Sequence, residues 1–332
     1  MSVLIPVYNA GDTLKSTLDS VRRQTLTDWE CLLCDDGSTD ETVAIAQHYA
    51  AIDARFTVIQ REHAGLVATL NAGLQLCQAA YVARLDADDI CHRERLVAQL
   101  STLERHPEFS GIGCAVRMFP RSGLGLGRRE YEAWLNGVAT EADILRDRFV
   151  ECPLGHPTWF FKREVLLEFG YKDCDWPEDY DLLLRLLGAG HRLSTVPRRL
   201  VCWRDSKTRL SRIDQRYATG AFTRCRAHFL ASEWLSGESH YALWGYGSTG
   251  KALARALAYY GKRPSFIVEL HPGRIGQRIL GVPVVAPSQL QRFRQAGERL
   301  VISVAGVGPR TEARRIAMAQ GLVECVDFIC AA

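Results

Sequence analysis

Along the first third of the chain, short apolar runs alternate with stretches whose apolar residues recur at helical spacing. Residues 2–7 (Ser-Val-Leu-Ile-Pro-Val) form an apolar run that ends in Tyr8-Asn9-Ala10-Gly11-Asp12. Leu14, Leu18 and Val21 then follow at intervals of four and three. A second run at 29–34 leads into Asp35-Asp36-Gly37-Ser38-Thr39-Asp40 and a helix from about Glu41 to Tyr49. A strand at 56–60, a helix around 66–77 and a strand at 81–85 come next. Strands alternating with helices predict a mostly parallel sheet covered on both faces, with ligands at the carboxyl ends of its strands. The polar clusters at 8–12, 35–40 and 86–89 occupy those ends.

The middle is less regular. Arg117, Arg121, Arg128 and Arg129 stand among Gly113, Gly123, Gly125 and Gly127, which predicts a mobile basic loop over 117–130. Residues 206–231 form a basic, largely helical stretch with Lys207, Arg209, Arg212, Arg216, Arg224 and Arg226. Two readings stay open for it: a solvated helix face, or a surface for an anionic acceptor or membrane phosphate. Near Ser236-Gly237 the α/β pattern restarts. A strand at 241–244, a glycine turn at 245–250 and a helix from Lys251 to Tyr260 precede strands at 265–269, near 282–285 and at 300–304, with a helix at 310–320. The expected domains are 1–232 and 237–332, with the boundary at 232–240.

Composition narrows the classes. The 332 residues are 47% apolar and 24% charged, which excludes disorder as the main state. A net charge of +3 is too small for a nucleic-acid footprint. No run reaches the roughly 18 apolar residues of a membrane span, and Met1-Ser2-Val3-Leu4-Ile5-Pro6 lacks the basic start of a signal peptide. A cytoplasmic protein is expected, with peripheral contact at the inner face of the membrane left open. The eleven cysteines follow no disulfide framework. Cys31 and Cys34 lie on one strand with opposite orientations, so they are expected to be core residues and not a metal pair.

Chemistry enters at the strand ends. An aspartate at 35 or 36 can accept an imide N–H of a nucleobase, and the Tyr8 ring can pack on the base. On a strand, carboxylates at i and i+2 share a face, so Asp86 and Asp88 can approach one divalent cation bridging diphosphate oxygens. Each cluster alone is an ordinary helix cap. Together, on one sheet, they make a nucleotide-sugar site.

These residues resemble a known family. Residues 2–9, Asp35 to Thr42, Asp86-Ala87-Asp88-Asp89, Gly155-His156-Pro157 and the run from Trp176 to Arg185 are similar to family 2 glycosyltransferases of the GT-A fold, over roughly 1–205. The resemblance implies a mixed α/β sheet with helices on both faces and an inverting enzyme moving a single sugar. A nucleotide-sugar, with a UDP-sugar the leading candidate, would be the donor. It implies that Pro6, Tyr8 and Asp36 hold the nucleoside, that Asp86 lies by the ribose and diphosphate, and that Asp88 binds Mn²⁺ or Mg²⁺. Arg84 and Arg204 complete the donor-binding set, and His156 and Trp176 fall on the acceptor side. A buried structural role for His156 stays open. Asp179 falls at the family's catalytic base, with Glu178 its rival. Direct displacement needs such a carboxylate to take the acceptor hydroxyl's proton, and the dipole of the following helix would keep Asp179 ionised. A helix cap is the alternative role for Asp179.

The chain departs from the family at Cys202-Trp203-Arg204-Asp205-Ser206, where many relatives place a histidine that completes the metal shell. Asp205 as a substitute ligand and Arg204 as a diphosphate contact are both open. The Gln-x-x-Arg-Trp signature of processive synthases is absent. The acceptor is expected to be a glycan or lipid-linked glycan of cell-surface polysaccharide synthesis.

In the second part, Gly245, Gly247 and Gly250 have the spacing of a dinucleotide fingerprint, and Glu269 follows 19 residues after Gly250. Val304 to Pro309 gives a second glycine-rich turn. A small Rossmann-like domain is expected, with a structural or regulatory role, a nucleotide ligand and NAD chemistry as its three readings. The rivals to a plain transferase are a bifunctional enzyme whose C-terminal domain modifies the sugar with NAD, and a non-catalytic nucleotide-sugar sensor.

Overall fold

The computed structural model describes every residue except 207, 208 and 296, so the expectation for Lys207 lies outside the described residues. The chain forms two compact units. One comprises Met1–Ile144, Pro153–Cys174 and Asp181–Arg209; the other comprises Leu145–Cys152, Asp175–Tyr180 and Leu210–Ala332.

The first unit is built on eight strands: β1 (Ser2–Val7), β2 (Glu30–Asp35), β3 (Phe56–Gln60), β4 (Tyr81–Arg84), β5 (Ile90–Cys91), β6 (Phe109–Phe119), β7 (Phe160–Lys162) and β8 (Arg192–Arg204). They lie in the order β3-β2-β1-β4-β7-β6-β8-β5. The β3-β2-β1-β4 portion is parallel, β7 is antiparallel to β4 and β6, and β8 is parallel to β6 but antiparallel to β5. The first three strands match the apolar runs because both faces of the sheet are covered. The helix Gly11–Arg22 buries Leu14, Leu18 and Val21 in a core shared with Val3, Ile5, Val7, Cys31 and Leu33. Cys31 and Cys34 are both buried, and all eleven cysteines are free thiols.

Residues 117–130 are not one loop, contrary to the sequence expectation. β6 runs through to Phe119, and a helix occupies Leu126–Gly137. The arginines there fasten local structure: Arg121 pairs with Glu132, Arg128 with Asp205, and Arg129 donates to the carbonyls of Leu124 and Arg121.

The second unit holds β9 (His240–Trp244), β10 (Arg263–Val268), β11 (Arg278–Ile279), β12 (Val282–Val285), β13 (Leu300–Ile302) and β14 (Phe328–Cys330), in the order β11-β12-β10-β9-β13-β14. All pairings are parallel except that of β11 with β12. The helices Ser248–Tyr259 and Val307–Ala319 follow β9 and β13. This unit also takes in residues 210–235, upstream of the break in sequence pattern at 232–240. The helix Thr219–Phe229, which buries Ala221, Cys225 and Phe229, packs against Ser248–Tyr259. The basic stretch is accordingly not a bare cationic face. Arg226 is buried and donates to the Ala331 carbonyl (2.7 Å), Arg224 donates to that of Asp175 (2.8 Å), and Arg216 pairs with Asp214 (2.7 Å).

Candidate functional site

In the first unit the strand ends line up. β1 and β2 finish in register, Val7 beside Asp35, and β4 stops with Arg84 beside Leu4. Tyr8, Asp36 and the acidic turn after β4 therefore leave from one edge of the sheet. Pro6 stays buried within β1. Asp35 accepts from the backbone N–H groups of Gly37 and Ser38 (both 3.2 Å), which folds the turn after β2. Gly37 sits at φ +79°, and a Cβ there would come within 2.9 Å of the His63 nitrogen, so this turn requires glycine.

Asp36 is buried and accepts from Ala64 N (2.9 Å), Thr69 Oγ1 (2.8 Å) and Gly65 N (2.9 Å). Burial works to raise its pKa, but these hydrogen bonds outweigh it and hold the carboxyl below its ordinary value. Tyr8 is half exposed, and its ring stacks on His63 at a centroid distance of 4.5 Å and an interplanar angle of 26°. His63, which the sequence reading did not single out, thus stands beside two residues that it did.

The acidic turn differs from the expected geometry. β4 ends at Arg84, so Asp86 and Asp88 do not share a strand face. A turn brings them together instead, and adds Asp89: each offers a carboxylate oxygen within 4.8 Å of the others. Burial, reinforced by the Asp86 charge, pushes Asp88 up to about 6. The same two causes, with Asp88 added, push the fully buried Asp89 well above the carboxylate range. Asp89 Oδ1 accepts from the Arg204 backbone N–H (2.7 Å), while its buried Oδ2 has no partner among the described residues. Three crowded carboxylates with an unpartnered buried oxygen fit a hard divalent cation.

Arg84 is buried and pairs with Asp86, while its Nε and Nη1 lack partners among the described residues. Arg204 donates from Nε to the Asp88 carbonyl (2.7 Å) and lies over the Phe119 ring. Asp205 faces Arg128 at 3.3 Å and is not in the acidic group. His156 is buried with Nε2 2.9 Å from the Tyr171 hydroxyl, and burial, aided by Arg84, holds its pKa well below the usual value. The imidazole is neutral at pH 7.

The remaining candidates belong to the second unit. Glu178 is 3% exposed and accepts from the Tyr217 hydroxyl at 2.6 Å; Asp179, beside it, is half-buried. Tyr217 is a further residue that the sequence reading missed. Trp176 stacks on His228 (centroids 5.5 Å, 30°). In the glycine turn Gly245 has φ +90°, and a Cβ on Gly250 would come within 2.0 Å of the Gly245 oxygen. The helix at Ser248 starts without a side-chain cap. Glu269, just past β10, accepts from Tyr246 N (3.3 Å) and pairs with Arg274 (3.0 Å).

Comparison with known proteins gives the family and the fold. Residues 2–170 match the model of the family described as Glycosyl transferase family 2. The amylovoran biosynthesis glycosyltransferase AmsE of Erwinia amylovora is 34% identical over 200 residues, covering 59% of this chain and 73% of that protein. The putative teichuronic acid biosynthesis glycosyltransferase TuaG of Bacillus subtilis is 40% identical over 115 residues, 34% of this chain and 46% of its own length. The chain thus spans less than half of that relative. Among solved structures, S. aureus TarS in complex with UDP-GlcNAc superposes with a TM-score of 0.55 at 17% identity, over 77% of this chain and 71% of that one. A mannosyltransferase from Pyrobaculum calidifontis in complex with GDP-Man and Mn²⁺ gives 0.51 at 19% identity, over 78% and 69%. These likenesses show the GT-A type of fold, and with the match over 2–170 they establish that the chain belongs to glycosyl transferase family 2.

Proposed function

We propose that the protein is an inverting, metal-dependent glycosyltransferase. It moves one sugar from a nucleotide-sugar, a UDP-sugar first among the candidates, to a hydroxyl of a glycan or lipid-linked glycan in cell-surface polysaccharide synthesis. The observation that carries this reading is the convergence of Asp86, Asp88 and Asp89 at the sheet edge from which Tyr8 and Asp36 also emerge. AmsE and TuaG, named for polysaccharide biosynthesis, support the acceptor class. Among the described residues no helix is long and apolar enough to cross a membrane. On this reading the protein works in the cytoplasm, with peripheral contact at the inner face of the membrane left open.

The nucleoside is assigned to Pro6, Tyr8 and Asp36, and the diphosphate end to Asp86, Arg84 and Arg204. Asp88 and Asp86 are the residues that would hold Mn²⁺ or Mg²⁺, whose chemistry is to neutralise the leaving diphosphate. Asp179 takes the acceptor hydroxyl's proton, and in-line attack inverts the anomeric carbon. Glu178 is the weaker choice because its carboxylate is buried and committed to Tyr217. His156 and Trp176 are assigned to the acceptor side on the strength of the family resemblance alone, with a structural role the alternative for His156. Residues 237–332 are read as a small Rossmann-like domain with a structural or regulatory role; the alternative reading has Gly245, Gly247 and Gly250 taking a phosphate and Glu269 a ribose hydroxyl of NAD or another nucleotide. Sugar transfer itself is left to residues 1–232.

The test is metal dependence. EDTA should abolish transfer or donor hydrolysis, and Mn²⁺ should restore it. Asp88→Asn should weaken Mn²⁺-dependent UDP binding strongly in calorimetry. Full activity in EDTA would remove the metal from the proposal.

A further inference from the structure

The basic stretch at 206–231 is not a bare cationic face, but the first unit carries one on β8 and its neighbours. Cys114 on β6 pairs with Val196, whereas Ala115 pairs with Arg199 and Val116 with Val201. Pro197, Arg198 and Leu200 are therefore extra residues, bulged out of the ladder between β6 and β8. At this bulge lies a cleft of about 500 Å³ whose lining includes His92, Ala115, Pro197, Arg198 and Arg199.

Backbone contacts and register gather the cations around it. His92 N donates to the Leu200 carbonyl (2.8 Å), which sets the end of β5 against the bulge, and Arg198 pairs with Glu94 (2.6 Å). On β6, Cys114, Val116 and Met118 lie in the core, so Ala115 and Arg117 share the opposite face. Arg93, Arg117, Arg198 and Arg199 are all exposed. Arg117 and Arg199 make no hydrogen bond or ion pair among the described residues. Glu94 is the one acid in the stretches 92–94, 115–117 and 197–200. Four arginines against one glutamate carry +3, which equals the formal net charge of the whole chain. The rest of the sequence therefore balances to zero. These guanidinium groups stand on β6, on β8 and just past β5, and do not crowd one point. That spread suits a surface bearing many phosphates better than a single small anion.

We propose that this face is the docking surface for an anionic lipid bilayer, with headgroup phosphates met by Arg93, Arg117, Arg198 and Arg199. The inference rests on the membrane contact left open in the proposed function, and a lipid-linked acceptor lies in the same bilayer. The attraction is electrostatic between exposed groups, so salt screens it.

Vesicle cosedimentation of the full chain tests it, without metal and at low salt. The protein should bind vesicles of equal parts phosphatidylglycerol and phosphatidylcholine, leave them at high salt, and ignore pure phosphatidylcholine. No binding to the anionic vesicles would overturn the inference. The double variant Arg117→Gln/Arg199→Gln should bind about thirtyfold more weakly, the factor for two arginines at an anionic surface. Arg255→Gln/Arg263→Gln removes two exposed arginines of the second unit and should bind as the unsubstituted protein does. Equal loss in the two double variants would mean a response to net charge alone and would also overturn it. Glycerol phosphate, at the phosphate concentration of the vesicles, should leave the protein bound; release would assign the cleft to a soluble phosphate instead. Mn²⁺-dependent UDP binding, measured separately by calorimetry, should be unchanged in Arg117→Gln/Arg199→Gln, which shows that the variant is folded. UDP binding without vesicle binding sinks this inference alone. Vesicle binding by a protein that takes no UDP sinks the donor-site reading and leaves the docking surface standing.

Discussion

Glu178 and Asp179 are chain neighbours with unlike surroundings, and the proposal of Asp179 as the base rests on the difference. Glu178 is buried against the Tyr217 hydroxyl, and burial together with that carboxylate pushes the phenol's pKa far above its ordinary value. A proton delivered to Glu178 would disrupt a buried, charge-assisted bond. Asp179 is half-buried, and its Oδ1 accepts from the Tyr180 backbone N–H (2.7 Å). Asp179→Asn should cut turnover by roughly 10²–10⁴-fold, the range for loss of general base catalysis, with the donor KM nearly unchanged. Glu178→Gln can still accept from Tyr217 and should keep most of the turnover. Steady-state kinetics on both variants would show it, and the reverse ranking would move the base to Glu178.

At the scale of elements, the glycine turn after β9 is a joint with no slack. A Cβ on Gly250 would lie 2.0 Å from the Gly245 oxygen, and that oxygen belongs to the backbone and cannot swing aside. Gly250→Ala should therefore destabilise the second unit by about 1–3 kcal/mol, the usual cost of overpacking. Thermal unfolding would record the loss, and an unchanged melting temperature would mean that the turn can relax. This joint was visible in the spacing of its glycines, as β1, β2 and β3 were visible in their apolar runs.

Other elements were hidden for physical reasons. β5 and β11 are two residues long and exist only because β8 and β12 offer them partners. Arginine and glycine masked the end of β6 and the helix Leu126–Gly137, around which Arg121 and Arg129 are bound to nearby Glu132 and Leu124 and Arg128 to the distant Asp205. Asp86 and Asp88 were legible as a pair of acids, but the turn that gathers them, and the membership of Asp89, were not. His63 gave no signal at all, because a lone histidine gains meaning only from Asp36 and Tyr8 beside it.

The whole molecule departs from a simple chain of domains, because its second unit is assembled from three separate stretches. Asp147, 2% exposed, pairs with Arg146 next to it and with Arg314; Arg226 donates to the carbonyl of Ala331. Ending the chain after Ser236 would strip Arg314 from a buried carboxylate and uncover the inner face of the helix Thr219–Phe229. Such a truncated protein should melt lower and aggregate on gel filtration while retaining Mn²⁺-dependent UDP binding, since Tyr8, Asp36, Asp86 and Asp88 all lie in the first unit. Melting at the full-length temperature would contradict this.

The same interleaving sets a schedule for biosynthesis. Asp147 and Arg314 are 167 residues apart, and Leu145 and Cys325, also in contact, are 180 apart. At about 5–20 residues per second, the ribosome needs roughly ten to thirty seconds to deliver those partners. Throughout that interval Asp147, buried in the finished protein, waits without Arg314. The nascent chain thus passes through a window in which a chaperone, or a stray copy of itself, can claim the 145–152 stretch.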